Sequence, residues 1–302
     1  MHLTSEFIAE AARSAGIVNC PVEVHASLSS FGHVRGGARS VVDGFLAVGC
    51  TVIVTSFSTG LHLLSPDAVP KHLRPDRNAE EDSRKQAQVG IQGRAFDVES
   101  AEMNPSEGAI AAAVTSYPGR VRGNHPLNSF SAVGPLAKRL ICLQTAEDVY
   151  APLRAAADHH GVVVLMGTGL DKMTLLHAAE QDAGRAPFIQ WAKKANGSLA
   201  AVRVGSCSEG FEGFASCLTP LERRTTVGRS TWRIFSAKEV LNTAAEAIRR
   251  TPEITRCAKP CCERCQDAIA GGPYYSHTGN YLVLCPPPQA VSAPPTSGLT
   301  VP

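Results

Sequence analysis

His177 and Glu180 stand three residues apart in the run LLHAAE, and Asp171 lies six residues ahead of the histidine. Residues three and four apart share a helix face, so Met173, His177, Glu180 and Gln181 would form one stripe there. An imidazole with a carboxylate in reach has one ring nitrogen fixed and the other left to accept a proton, which is the equipment of a general base. The preceding VVVLMG reads as a buried strand. Gly167 and Gly169 then turn the chain into the histidine helix, whose expected start is Asp171 and whose expected stop is Gly184. Such a turn sits at the carboxyl end of a strand, where open α/β sheets bind their ligands. A helix histidine is also readily satisfied by a carbonyl or a water, so this stretch alone leaves proton transfer and plain packing both open.

A second concentration of chemistry is the run RCAKPCCERCQD, with Cys257, Cys261, Cys262 and Cys265. The Cys262-x2-Cys265 pair has the spacing of a zinc knuckle, and Cys257 with a remote thiol such as Cys207 in GSCSEGF would complete four-coordination. A structural zinc there would pin the C-terminal segment to the core. Free buried thiols and a Cys-x2-Cys redox pair are the other readings of the same spacing.

The elements that must position these groups follow βαβ order. Residues 5–15 carry Phe7, Ile8, Ala11, Ala12 and Ala15 at helical spacing behind Thr4 or Ser5 as cap. PVEVHASLS alternates as a strand, GHVRGGARSVVDGFLAV passes through a Gly-rich turn into a helix, and TVIVTSF suits a buried strand. EGAIAAAVTSY and SAVGPLAKRL predict helices on either side of the loop PGRVRGNHPLNSF. Beyond the histidine helix, GSLAAVRVG and STWRIFS predict strands, and AKEVLNTAAEAIRR predicts an amphipathic helix closed by Arg249, Arg250 and Pro252. His159 and His160 fall in a solvated turn. Residues 60–100 are dense in proline and charge and read as an exposed insertion. The pattern is one α/β domain over 1–284, with that insertion, a Cys-rich segment at 252–275, and a Pro/Ser/Thr tail at 285–302 unable to bury enough surface to fold.

Composition excludes several classes. With 302 residues, 44% hydrophobic, 19% charged and only 6% aromatic residues, and a net charge of +2, the chain lacks the broad basic face or stacking platform of a nucleic-acid binder. Glu6, Glu10 and Arg13 interrupt the start before a secretory apolar stretch can develop, and no run approaches the roughly 20 apolar residues a membrane helix needs. A cytoplasmic protein without a membrane partner is the expectation.

Three stretches, VHASLSSFGHVRGGARSVVDGF (24–45), GRVRGNHPLNSFSAVGPLA (119–137) and VLMGTGLDKMTLLHAAE (164–180), together resemble the aminoglycoside 3-N-acetyltransferase family. The resemblance covers about residues 20–240. It implies a three-layer α/β/α fold with a mixed central sheet, and acetyl-CoA or another acyl-CoA as donor to an amine. His177 matches the family's catalytic histidine, thought to take a proton from the attacking amine in a direct transfer without an acyl-enzyme. Ser27, Leu28, Ser29, Ser30, Phe31, Arg35, Gly36 and Gly37 match its CoA-binding loop. Amides at Gly36 and Gly37 would meet the pyrophosphate, and Ser29, Ser30 and Arg35 would add donors. Arg122, His125, Ser129 and Phe130 match the segment that completes the CoA groove, although polar residues of a proline-bearing loop can also simply cap the next helix.

The chain departs from the family on the acceptor side. Many members carry Glu and Phe-Arg after a Met-Gly where this chain has GAIAAAV, so an acidic group that would hold an aminoglycoside is missing from that place. Ala151 opens APLRA where a serine is usual. Glu80, Glu81, Asp82, Glu209 and Glu212 are candidates to bind a cationic amine or to orient His177. The expected function is acetyl transfer to an aminoglycoside-like amine with His177, Glu180 and Asp171 at the catalytic centre. The alternatives are a CoA-binding accessory protein of altered catalysis and an acyltransferase using another donor.

Overall fold

The computed structural model describes residues 3–64 and 93–272. The expected tail at 285–302, and the part of the expected insertion that carries Glu80, Glu81 and Asp82, lie outside the described residues.

A seven-stranded mixed sheet runs in the order β3 (Val121–Arg122), β4 (Phe130–Val133), β2 (Thr51–Thr55), β1 (Pro21–Ala26), β5 (Val162–Met166), β9 (Ser230–Ser236) and β8 (Arg223–Val227). β1 pairs in parallel with both β2 and β5, whereas β4 and β9 run antiparallel to the strands they join. The β-branched runs TVIVT and VVVLM belong in the middle of such a sheet, because strands covered on both faces read as near-continuous apolar stretches.

Period-two alternation sends side chains to two separate cores. Val22, Val24, Val52, Val54, Val164, Met166 and Trp232 face a layer made by helices α1 (Ser5–Ser14), α2 (Gly37–Leu46) and α3 (Gly108–Thr115). Ile53, Val163, Leu165 and Phe235 face the opposite layer. That layer holds α4 (Ala137–Ile141), α5 (Ala151–Asp158), α6 (Leu175–Asp182) and α8 (Ala237–Arg250), with the short α7 (Ala215–Leu218) beside them. Three α/β/α layers result, as expected. A two-stranded sheet, β6 (Phe188–Lys193) with β7 (Leu199–Val204), packs Phe188, Val202 and Val204 on Leu127 and on Ala268 of α9 (Glu263–Ile269).

Several expectations are met residue for residue. Thr4 caps α1 by accepting from the Phe7 amide at 3.3 Å, and α8 spans the whole of AKEVLNTAAEAIRR, with Ser236 accepting from the Glu239 amide at 3.4 Å. Others are corrected. The loop expected through 118–130 contains β3 and the start of β4, and SAV opens the following segment as the end of β4, leaving α4 only the residues Ala137–Ile141. The described flanks of the insertion are docked as well as exposed: Leu63 bridges to Trp191, Ala95 bridges to Lys193, and Phe96 is buried 5.0 Å beneath the Arg122 guanidinium. Strands β6 and β8 carried no clear signal. Alternation in FIQWAK is short, and RRTTV is a polar edge strand held only by β9.

The α1–α2 contact depends on a missing side chain. A Cβ on Gly44 would lie 2.6 Å from Ile8 Cβ and 2.9 Å from the Ser5 carbonyl oxygen, which is backbone and cannot swing away. Gly44→Ala is therefore expected to cost about 1–3 kcal/mol through overpacking, read as a lower denaturation midpoint with an unchanged slope. A variant as stable as the parent would show that the two helices separate freely.

Candidate active site

β1 is the switch point of the sheet, with β2 on one side and β5 on the other, so the carboxyl ends of these parallel strands diverge and leave a crevice. A cleft of ≈ 440 Å³ lies there, walled by Ala26 and Ser27 at the end of β1, Thr55 at the end of β2, and Thr168 after β5. This volume lies within the range of small-molecule sites. Glu107, at the entrance to α3, and His177, on the first turn of α6, face into it from opposite layers.

His177 Nδ1 lies 2.9 Å from Glu180 Oε2, as the i, i+3 spacing implies. The carboxylate fixes the proton on Nδ1 and leaves Nε2 as the acceptor. Nε2 has no hydrogen-bond partner among the described residues. Tyr150 stacks on the ring at 5.8 Å and Phe211 closes the other side at 4.7 Å. The backbone of Gly205 completes the clamp, because a Cβ there would come within 2.9 Å of Nε2.

Glu180 is buried, and three groups hold it. Ser206 Oγ donates to Oε2 at 2.5 Å, His177 shares that oxygen, and Arg185 Nη1 donates to Oε1 at 2.8 Å. Burial by itself raises the carboxyl pKa, but the His177 hydrogen bond and charge, the Ser206 hydroxyl and the Arg185 charge outweigh it and hold the group below its ordinary range. Arg185 is itself buried, and Thr255 Oγ1 at 2.7 Å and the Pro252 carbonyl at 2.5 Å accept two more of its hydrogens.

Asp171 departs from its expected place. It lies in a 3₁₀ turn, Leu170–Lys172, and α6 begins only at Leu175, with Thr174 ahead of it supplying no side-chain cap. Glu212 Oε1 takes the Leu170 amide at 2.6 Å and Asp171 pairs with Lys172 at 3.0 Å, so the turn closes on itself before the helix starts. Asp171 still lines the cleft, while Glu180 alone holds the imidazole. Glu209 pairs with Lys259 at 2.8 Å, so neither it nor Glu212 orients His177. Gly184 ends α6 as expected, with φ +97°.

The expected CoA loop is a 3₁₀ turn, Leu28–Phe31, leading by way of Gly36 into α2. Ser27 lines the cleft, and Ser29, Arg35 and Gly36 are exposed. Three residues of this loop also make contacts inside the protein. Phe31 is buried edge-on against Trp232 at 6.2 Å, the Ser30 hydroxyl is bonded to Ser230 at 2.8 Å, and the Gly37 amide donates to the Val34 carbonyl at 3.0 Å.

The RGNHPLNSF residues brace the backbone around the cleft. Arg122 donates to Ser129 Oγ, Ser58 Oγ and the carbonyls of Ser56 and Ser100. Burial, with Arg120 nearby, pushes it down to about 10. Ser129 also donates to the Ser56 carbonyl at 2.7 Å, and Phe130 is fully buried against Tyr150 at 6.4 Å. His125 accepts the Asn128 amide on Nδ1 at 2.8 Å and meets the Arg203 carbonyl through Nε2 at 2.8 Å. Burial takes its pKa down to about 4, so it carries no charge for a phosphate at neutral pH.

Two groups were missed. His25 lines the cleft with Nε2 2.8 Å from Glu23 Oε1, and the parallel register places Glu23 beside Val163 and His25 beside Leu165, on the same face as α6. The signal was present in PVEVHA as two polar residues on one face of a strand expected to be buried. Glu107 restores an acidic wall immediately before GAIAAAV, where none was expected. It accepts the Thr55 hydroxyl, and burial raises its carboxyl pKa against the opposing pull of that hydrogen bond, His25 and Lys172.

The expected cysteine set does converge. The sulfurs of Cys207, Cys257, Cys262 and Cys265 all lie within 4.8 Å of one another.

Comparison with known proteins agrees with this architecture. The model of the aminoglycoside 3-N-acetyltransferase family matches residues 24–249, and the chain belongs to that family. Aminoglycoside N(3)-acetyltransferase III of Serratia marcescens is 30% identical over 247 residues, covering 73% of this chain and 87% of its own length. Aminoglycoside N(3)-acetyltransferase VIII of Streptomyces fradiae is 34% identical over 166 residues, 54% of each chain, so the match spans about half of that relative. In solved structures the fold is shared by the apoenzyme of aminoglycoside acetyltransferase AAC(3)-IVa, with TM-score 0.70 and 21% identity over 90% of this chain and 98% of that one. It is shared too by AAC-IIIb in binary complex with CoASH, with TM-score 0.64 and 18% identity over 83% and 97%. Among the described residues no helix is long and apolar enough to cross a membrane.

The buried Glu180 carboxylate yields a stability prediction. Its folded pKa is depressed, so its contribution is present above the unfolded carboxylate value of roughly 4.3 and is lost as pH falls through the folded value. Glu180→Gln leaves the buried Arg185 unpaired and is expected to cost about 3–5 kcal/mol at neutral pH, with the gap to the parent closing in acid. Denaturation of both proteins from pH 7 to pH 3 checks it, and a gap independent of pH would contradict the assignment.

Proposed function

We propose that the protein transfers an acetyl group from acetyl-CoA to an amine of an aminoglycoside-like molecule, with His177 as the general base. The observation that carries this reading is the pair at the switch-point cleft: Nδ1 held by a buried ionised carboxylate, Nε2 without a partner among the described residues. Family membership supports the acyl-CoA donor and the amine acceptor, and the fold neighbour solved with CoASH supports the same donor.

An ammonium cannot attack a thioester, and a free imidazole with a pKa near roughly 6.5 accepts a proton at neutral pH. The ammonium first gives up one proton to solvent, and His177 Nε2 takes a second from the amine nitrogen as that nitrogen bonds to the thioester carbon. The C–S bond breaks, and the imidazolium returns a proton to the departing thiolate. Glu180 stabilises the charge that His177 gains. Transfer is direct in this reading, from donor thioester to acceptor amine without an acyl-enzyme. The donor lies along the exposed edge of the 27–37 loop, with Ser27, Ser29, Arg35 and the backbone at Gly36 as its contacts and Leu28 beside them. Glu107 and Asp171 supply the acidic wall for the acceptor. A cationic amine beside Glu107 offsets the burial that raises its carboxyl.

Two variants test the roles. His177→Gln is expected to lower kcat about 10²- to 10⁴-fold, while acetyl-CoA binding measured by calorimetry is unchanged. Wild-type turnover in that variant would end the proposal. Glu107 has a raised folded pKa, so its ionised form costs stability as pH rises through that value. Glu107→Gln is accordingly expected to melt no lower than the parent at neutral pH, yet to raise KM for a polycationic amine about 10- to 100-fold. An unchanged KM would place the acceptor elsewhere in the cleft.

A further inference from the structure

We infer that Cys207, Cys257, Cys262 and Cys265 bind one tetrahedral metal ion, zinc by the softness of the donors, and that this ion holds the segments that position Glu180 behind His177. The second half rests on the acyl-transfer reading, whereas the first does not.

The four thiols come from two separate stretches of chain, around Cys207 and from Cys257 to Cys265, and meet with their sulfurs within 4.8 Å of one another. A tetrahedral Zn–S₄ site with bonds of 2.3 Å has edges of about 3.8 Å, so one ion fits with small side-chain adjustments. Neutral thiols are poor hydrogen-bonding partners and give little reason for four to gather, whereas thiolates around a cation do. All four are free of disulfides, with Cys257 and Cys265 buried and the other two half-buried.

A backbone amide already points at one of the sulfurs. The Cys257 amide donates to Cys265 Sγ at 3.4 Å. Such a bond favours the charged sulfur and orients it, as outer partners do around metal ligands. Cys262 precedes α9 and Cys265 lies on its first turn, which is the knuckle arrangement expected from the Cys-x2-Cys spacing. The Lys259–Glu209 ion pair, 2.8 Å, ties the two outer loops together. Lys259 and Arg256 lie close enough to the thiols to offset part of the negative charge of four thiolates around a divalent ion.

The link to the cleft is covalent and short. Ser206, which donates to Glu180, is the neighbour of Cys207. Thr255 and Pro252, which take the hydrogens of Arg185, lie two and five residues before Cys257. The metal therefore closes a ring in which both groups that fix Glu180, apart from His177 itself, are tethered to one ion. Binding converts thiols to thiolates with release of their protons, so affinity falls in acid.

The test uses the whole chain purified without added metal. Elemental analysis should find one zinc per chain, thiol titration should gain four reactive sulfhydryls only after chelation, and cobalt(II) should replace zinc with the absorption bands of a tetrahedral thiolate site. Four sulfhydryls reactive from the outset, with no metal, would overturn the site. Cys262→Ser should lose the metal; where it fails to fold, the chelated parent supplies the metal-free state. Removing zinc is expected to lower kcat about 10²-fold, as a displacement of about 1 Å in a catalytic group does, and returning zinc should restore it. Proton NMR of the His177 imidazole should report a changed titration in the metal-free protein, and it needs no turnover. A zinc-containing protein whose His177 titration is unmoved by chelation would overturn the coupling and leave the site standing. Zinc bound and coupled in a protein that acylates no amine would count against the acyl-transfer reading alone.

Discussion

The geometry of the cleft rests on one buried charge. A carboxylate taken out of water costs several kcal/mol unless donors surround it, and Glu180 has three: His177, Ser206 and Arg185. None of these is interchangeable with solvent, since the site is closed by Tyr150, Phe211 and the backbone of Gly205. Arg185 brings a second buried charge, and that charge in turn needs Thr255 and Pro252. A requirement that begins with one carboxylate thus reaches from α6 to the turn Pro252–Thr255 that follows α8. The C-terminal segment is part of the support for the imidazole, although no residue of it lines the cleft.

The second constraint is topological. Parallel strands need crossovers, and the chain departs from β1 to β2 through α2 on one face and reaches β5 only after the β4 excursion. The crevice at the end of β1 is where these paths separate, so residues from distant parts of the sequence meet there without any fold-specific insertion. Alternation along β1 does further work: it buries Val22 and Val24 toward α2 and turns Glu23 and His25 toward the α6 side. Two histidine–glutamate pairs consequently occupy the same layer, one anchored on a strand and one on a helix. His177 leaves Nε2 unbonded among the described residues, whereas His25 Nε2 meets Glu23 and lies 3.4 Å from the Thr174 amide.

Much of this was legible before any coordinates. Caps and periodicity gave α1 and α8 their limits, since Thr4 and Ser236 are chemically unambiguous and the apolar stripe of AKEVLNTAAEAIRR is unbroken. The His177–Glu180 contact followed from helical spacing, and the four cysteines followed from donor type and spacing. Partners fixed by tertiary approach were not readable: Arg185 and Ser206 lie at no periodic distance from Glu180. Direction was hidden too. Phe31, Ser129 and Phe130 match motifs associated with the cofactor, but whether such a residue points into a groove or into the core depends on a register that a single sequence does not display. Asp171 failed as a helix start because a tertiary bond from Glu212 to the Leu170 amide and a local pair between Asp171 and Lys172 hold a 3₁₀ turn there instead.

The buried RGNHPLNSF residues still have a place in the function, through the wall of the cleft. Arg122 donates to the Ser56 carbonyl and to Ser58 Oγ, the residues on either side of Phe57, which lines the cleft. Ser129 donates to the same Ser56 carbonyl, and Ser131 donates to Ser56 Oγ at 2.9 Å. β2 ends at Thr55, so without these bonds the chain beyond it would leave the sheet with its carbonyls unsatisfied and free to seek water. A guanidinium is suited to the task because its planar fork serves several acceptors at once, and even with burial pushing it down to about 10 it stays charged at neutral pH. The segment therefore sets the position of Thr55, which holds Glu107, and of Phe57 beside it. A motif can belong to a ligand site without touching the ligand when it fixes the backbone from which the contacting side chains project.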